Sequence, residues 1–249
     1  MPILERGEAR ISFEVRGTGH SLLLFAPGGM ASTAQLWGEL PTRPGEPAPW
    51  IDPRVELSDH FCVISMDQRN AGASSAPVSR GDGWATYTAD HLALLEHLEI
   101  TRTHLMGGCI GSSYALALCD SAPDAVTAAV LQNPIGLHAG NRGEFLALFD
   151  RWANDLRTRR SDVDDASLSA MKDAMFEGDF VFSVHRDALR RCSVPLLVLP
   201  GDDAFHPYAI GEEIVDLAPK AELLYPWEGP ERHRMTVAGI REFLLAHTP

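Results

Sequence analysis

The thiol of Cys109 lies inside Gly107-Gly-Cys-Ile-Gly111, with a glycine two residues away on each side. With 21 Gly and 4 Cys in 249 residues, random order would give this pattern about 0.03 times per chain. His104-Leu-Met before it reads as the end of a strand, and Ser112-Ser-Tyr-Ala-Leu after it as the start of a helix. A strand–turn–helix of this kind holds its apex residue in a strained backbone conformation. The apex side chain is lifted off the sheet, and its neighbours must be small to avoid collision. The apex also lies at a helix N-terminus, whose partial positive charge favours a thiolate. The chemistry expected is nucleophilic attack on a carbonyl carbon, leaving an acyl group on sulfur.

Such an attack needs three further things, and the sequence offers candidates for each. The oxyanion of a tetrahedral intermediate needs two aimed N–H donors. One is expected from Ile110, and the other from Gly29 or Met30 in the loop that follows the apolar run Leu22–Ala26. A carboxylate must fix the orientation of a base. Asp202 and Asp203 follow the apolar run Leu196–Leu199, at the strand end where open-sheet sites form, and only one of them can point inward. A histidine must exchange the proton. His233 lies after the last predicted strand, and the chain order Cys109, Asp203, His233 matches nucleophile, acid and base. His206 competes from the acid loop itself, where it would line the pocket or bind substrate. His20 and His247 read as surface residues, and neither His104 nor His185 has an arguable role. Met66-Asp-Gln-Arg-Asn-Ala-Gly-Ala-Ser-Ser75 reads as a hydrogen-bonded turn with a structural purpose.

The elements that must position these groups alternate. Ile3–Glu5 and Arg10–Val15 read as an antiparallel pair. Leu22–Ala26, Cys62–Met66, His104–Met106, Val126–Leu131, Leu196–Leu199 and Glu222–Tyr225 read as further strands. Thr33–Glu39, Thr86–Leu98, Ile110–Asp120, Tyr208–Leu217 and Val237–His247 read as helices between them. Within Thr86–Leu98 the stripe Leu92, Leu94, Leu95 and Leu98 faces the core, with Asp90, Glu96 and His97 on the surface. Continuous apolar strands separated by helices imply an α/β fold with a mostly parallel sheet covered on both faces. The proline-rich stretch 41–57 resists regular structure. Between two sheet strands, Glu144–Leu156 and Ala166–Met175 carry helical patterns. The chain therefore divides into a core of residues 1–137 and 193–249 and a small helical cap of residues 138–192.

Composition narrows the possibilities. The net charge of −13 argues against a nucleic-acid partner or an anionic membrane surface. The four cysteines are scattered and include no C-x-x-C pair, which excludes zinc-ribbon and thioredoxin-like readings. Cys62, Cys119 and Cys192 read as core fillers. No apolar run reaches membrane-spanning length and the first residues lack a signal-peptide core, so a cytoplasmic protein is expected. The partner expected is a small-molecule substrate, with no cofactor and no metal. A homodimer is compatible with these features.

The motifs Leu22-Leu-Leu-Phe-Ala-Pro-Gly-Gly29, Asp67-Gln-Arg-Asn-Ala-Gly-Ala-Ser74, Gly107-Gly-Cys-Ile-Gly111, Leu199-Pro-Gly-Asp-Asp203 and Ile240-Arg-Glu-Phe-Leu-Leu245 together resemble the capped α/β-hydrolase superfamily. That resemblance covers nearly the whole chain. It implies an α/β-hydrolase fold with an eight-stranded, mostly parallel sheet whose second strand is antiparallel, and it favours Asp203 over Asp202 as the acid. The sequence departs from the family pattern at Pro27-Gly28, where His-Gly is usual, and at Arg232 before His233. It departs also at Cys109, where serine is usual; in nucleophile type it is similar to dienelactone hydrolases. Cysteine there argues against the dehalogenase and epoxide-hydrolase branches, which use aspartate. The expected activity is hydrolysis of a small or medium hydrophobic ester, lactone or thioester by a Cys109–His233–Asp203 triad. Trp37, Trp152, Phe149 and His206 are expected around the substrate. Acyl transfer, C–C or lyase chemistry on the same scaffold, and a non-catalytic ligand-binding homologue are the alternatives.

Overall fold

The computed structural model describes residues 1–39 and 50–249. Eight strands form one sheet in the order β1-β2-β4-β3-β5-β6-β7-β8. They are β1 (Ile3–Arg6), β2 (Ala9–Arg16), β3 (Ser21–Phe25), β4 (Cys62–Met66), β5 (Thr103–Gly108), β6 (Val126–Gln132), β7 (Leu196–Leu199) and β8 (Ala221–Leu223). β2 is antiparallel to both β1 and β4, and every other pairing is parallel. The central strands β3, β5, β6 and β7 are buried along their whole length. That is why they read as unbroken apolar runs rather than alternating ones.

Side chains leave alternate faces of the sheet and found two cores. Leu23 and Phe25 of β3 join the core beneath α3 (Trp84–His97) and α4 (Ile110–Ser121). Leu22 and Leu24 join the opposite core, with Trp37, Trp50 and Trp227 and with Ile240 and Phe243 of the last helix. Short helices α1 (Leu36–Glu39) and α2 (Pro53–Glu56) precede β4. Part of the proline-rich stretch, residues 41–49, lies outside the described residues. Its later part does form α2, with Pro53 at the first turn, where a missing N–H costs nothing, and Asp52 capping the Arg54 N–H at 3.0 Å.

Between β6 and β7 the chain forms α5 (Arg142–Arg159), α6 (Asp165–Phe176) and α7 (Arg186–Arg190). Polar contacts tie this insert to the core. Trp84 Nε1 donates to Met175 O at 3.0 Å, Trp152 Nε1 to Asn70 O at 3.4 Å, and Arg160 Nη1 to Asn70 Oδ1 at 2.9 Å. α8 (Tyr208–Leu217) follows β7, and α9 (His233–Ala246) ends the fold. Among the described residues no helix is long and apolar enough to cross a membrane.

Two surface assignments are corrected. Asp90 is only 1% exposed. It accepts from Arg69 Nη2 and from Arg6 Nη1, both at 3.1 Å, so the face of α3 away from its leucine stripe packs on the Arg69 turn and on β1. His20 is half-buried and stacks edge-on against the fully buried His104, with ring centroids 4.5 Å apart. The turn after β4 has the structural role expected of it. Asp67 accepts the N–H groups of Ala34 and Ala73, each at 2.9 Å, and so joins the loop after β3 to its own.

Candidate active site

Cys109 stands between β5 and α4 with φ 56° and ψ −123°, a conformation that is rare for a residue with a side chain. Its neighbours account for the strain. The Cys109 N–H is fixed on Gln132 O at 3.0 Å, its carbonyl accepts the Ser112 N–H at 3.0 Å, and Ser112 Oγ ties back to Gly107 O at 2.9 Å. The two glycines are required by close approach. A Cβ on Gly111 would lie 1.9 Å from Phe25 O, and one on Gly107 would lie 2.1 Å from Gly111 O. The elbow therefore presses α4 against β3 and β5 and turns the thiol outward from the sheet.

The histidine that comes to this thiol is His206. Its Nδ1 lies 2.8 and 2.9 Å from the two carboxylate oxygens of Asp203. Asp203 Oδ1 also accepts the N–H groups of Phe205 at 2.8 Å and His206 at 3.0 Å. One carboxylate thus closes its own loop and orients the ring that the loop carries. Nε2 is buried without a well-formed hydrogen bond and faces the Cys109 sulfur. In unliganded sites such contacts are often poorly aligned and tighten with substrate.

The electrostatics follow from this placement. Burial pushes the Cys109 thiol up. The His206 charge and hydrogen bond, with the N–H groups of Ile110 and Gly28, outweigh it and bring the thiol below its ordinary value. Burial pushes His206 down, but the Cys109 and Asp203 charges and hydrogen bonds raise it to about 10. For Asp203, burial is likewise overcome by His206 and by the loop N–H groups, and the carboxyl falls to about 2. Both shifts lean toward a thiolate–imidazolium pair. The Ile110 and Gly28 N–H groups that reach the sulfur sit where an oxyanion would form. Gly28, at φ 115°, opens the 3₁₀ turn Gly29–Ala31, and Gly29 and Met30 line the same space.

A cavity of about 300 Å³ opens from the sulfur. Met30, Phe145, Phe149 and Phe176 wall it toward the insert, and Trp50 and Phe205 wall it toward His206. Among its described lining residues, only Cys109 and His206 bring ionisable side chains.

The structure does not bring every expected residue here. His233 opens α9, four positions before the expected helix start, and its Nε2 sits 2.9 Å from Glu56 Oε1. Its side chain is 42% exposed and away from the thiol, so as the partner of Cys109 it is corrected to His206. Starting the helix at His233 spends that residue on the helix terminus. Trp37 is fully buried beneath the elbow, where a Gly108 Cβ would lie 3.0 Å from its ring, and it does not line the cavity. Trp152 packs behind Phe149 with centroids 5.3 Å apart and also stands off the cavity. Gly29, Met30, Ile110, Phe149, Asp203 and His206 do gather at the site, with Asp203 on His206. Trp50, Phe205 and Gly28 were missed. Trp50 is hidden by the proline-rich stretch around it. The spacing Asp203-x-x-His206 was the available signal for the pair, since a carboxylate reaches the N–H groups of the residues two and three positions on.

Residues 22–182 match a family model described as the alpha/beta hydrolase fold. A putative carbamate hydrolase RutD from Caulobacter sp. (strain K31) is 25% identical over 226 residues, spanning 79% of this chain and 83% of that protein. Other curated relatives are matched at 29–31% identity over only 28–34% of their own length. Among solved structures, the esterase RhEst1 from Rhodococcus sp. ECU1013 superposes with a TM-score of 0.68 at 23% identity, covering 98% of each chain. The enol-lactonase from Burkholderia xenovorans LB400 gives 0.65 at 20% identity, covering 98% of this chain and 100% of that one. At these identities the superpositions speak to the fold.

Proposed function

The chain belongs to the α/β-hydrolase fold family, and on that premise we propose that it hydrolyses a small or medium hydrophobic ester, lactone or thioester through an S-acyl intermediate on Cys109. The observation that carries this reading is the Cys109 sulfur, held on a strained elbow against the free nitrogen of an imidazole whose other nitrogen is bound by Asp203. The RutD, esterase and enol-lactonase names of its relatives agree in general kind.

The thiolate attacks the substrate carbonyl. The oxyanion is held by the Ile110 N–H and one of Gly28, Gly29 or Met30. The His206 imidazolium gives its proton to the leaving group, and a thioester remains on Cys109. The sulfur has then lost its charge, and with it goes the leading influence that holds His206 protonated. His206 is left neutral, with Asp203 at Nδ1, and takes a proton from the attacking water. The second tetrahedral intermediate expels the thiolate, and the ion pair is restored. The apolar walls suit an uncharged acyl group, and the helices of residues 138–192 act as the cap that excludes bulk water from it.

The test is turnover of p-nitrophenyl esters and simple lactones, with mass spectrometry of the quenched enzyme. An acyl mass on the Cys109 peptide and no turnover by Cys109→Ala are expected. Undiminished turnover by Cys109→Ala would overturn the reading.

A further inference from the structure

Acid and base share one short loop, so whatever fixes that loop fixes both. Its inner end is held from the core, where Trp227 Nε1 donates to Pro200 O at 2.7 Å. Its outer end is held from the insert by one side chain. Asn141 Nδ2 donates to Ala204 O at 2.8 Å and to Gly136 O at 3.0 Å, while Asn141 Oδ1 accepts the His138 N–H at 3.0 Å. Both ends of the amide are therefore specified. Asn141 precedes the first residue of α5, yet its side chain makes no cap to that helix. Asn141 instead bridges the segment that follows β6, at Gly136 and His138, to the peptide between Asp203 and His206. From the same helix, Phe145 meets Phe205 edge-on, with centroids 5.4 Å apart. Phe145, Leu148 and Phe149 of α5 line the cavity that would hold the acyl group.

We propose that Asn141 is a positioning residue that couples the substrate-contacting helix α5 to the Asp203–His206 loop, so that the base is aligned on Cys109 only when α5 is seated. The inference rests on His206 being the partner of Cys109. An acyl group packed against Phe145 and Phe149 holds α5 in place, and through Asn141 it holds Ala204 and hence the imidazole. Specificity and proton transfer are then linked through one amide.

The test measures the pH dependence of iodoacetamide labelling at the Cys109 peptide, with kcat/KM for an aryl ester beside it. Asn141→Asp keeps the shape and removes both donors, and Asn141→Ala removes the side chain. In each, the labelling midpoint should rise by about half a pH unit or more, and kcat/KM should fall about tenfold, mainly in kcat. Arg160→Ala, which loosens the insert from the Asn70 turn without touching the loop, should leave the midpoint in place. An unmoved midpoint in both Asn141 variants overturns the inference, as does an equal shift in Arg160→Ala. His206→Ala separates the two claims. If it leaves the midpoint unmoved, the reading of His206 has failed and not merely the role of Asn141.

Discussion

Replacing His206 by alanine is the sharpest perturbation, because the geometry assigns it two losses that can be read apart. Without the imidazolium, burial of the Cys109 sulfur is opposed only by the Ile110 and Gly28 N–H groups. A thiol restored to an ordinary pKa of about 8.5 is roughly 3% thiolate at pH 7, and burial lowers that fraction further. Iodoacetamide labelling of Cys109 at pH 7 should therefore slow, by about thirtyfold where the wild-type thiol is fully ionised. Turnover loses the proton donor and acceptor as well, a factor of about 10²–10⁴ on its own, so kcat/KM should fall by at least about 10²-fold. His233→Ala is the comparison. It removes a half-exposed pair with Glu56, of the kind worth about 0–1 kcal/mol, and kcat/KM should stay within about twofold of wild type. Stopped-flow labelling and steady-state ester hydrolysis are the assays. Wild-type labelling by His206→Ala, or an equal collapse in His233→Ala, would refute the reasoning.

Three further outcomes follow from the packing. Gly111→Ala drives a Cβ to 1.9 Å from Phe25 O, backbone that cannot yield, so the variant should lose its cooperative thermal transition or melt far below wild type. Asp90→Asn leaves Arg69, only 7% exposed, beside a neutral partner and should cost about 3–5 kcal/mol in urea unfolding; a loss below about 1 kcal/mol would contradict the buried pair. Burial holds His91 near 3, and burial with the His20 and His247 charges does the same for His104. Both stay neutral in the fold but take a proton on unfolding below about pH 6.5. Stability should be whole above that pH and fall as the pH drops toward 3, by up to about 1.4 kcal/mol per pH unit for each histidine. The urea midpoint followed across that range checks the sign.

The sheet and the elbow were legible because each rests on a local rule. Unbroken apolar runs such as Leu22–Phe25 announce strands buried on both faces, and Gly107 and Gly111 announce an apex with no room beside it. The base was not legible by chain order, since that order sends attention past the last strand to His233. A nearer pairing wins physically: Asp203 already turns its carboxylate onto the N–H groups two and three positions on, Phe205 and His206, and the ring of His206 comes with them. Asp90 failed for a different reason. A stripe of leucines marks one buried face of a helix and is silent about a second face that buries an ion pair. Trp37 and Trp152, expected around the substrate, are packed in the core instead, and composition alone could not say that the walls next to the sulfur would come from Trp50 and Phe205.

Because Asp203 and His206 are carried on a single turn, the two cannot drift apart independently, and one insertion between them would disable both at once. Among the described cavity-lining residues none comes from the final strand or helix, whose task is support: Ile240 and Phe243 fill the core, and Trp227 just ahead of the helix holds Pro200 at the root of the Asp203–His206 turn.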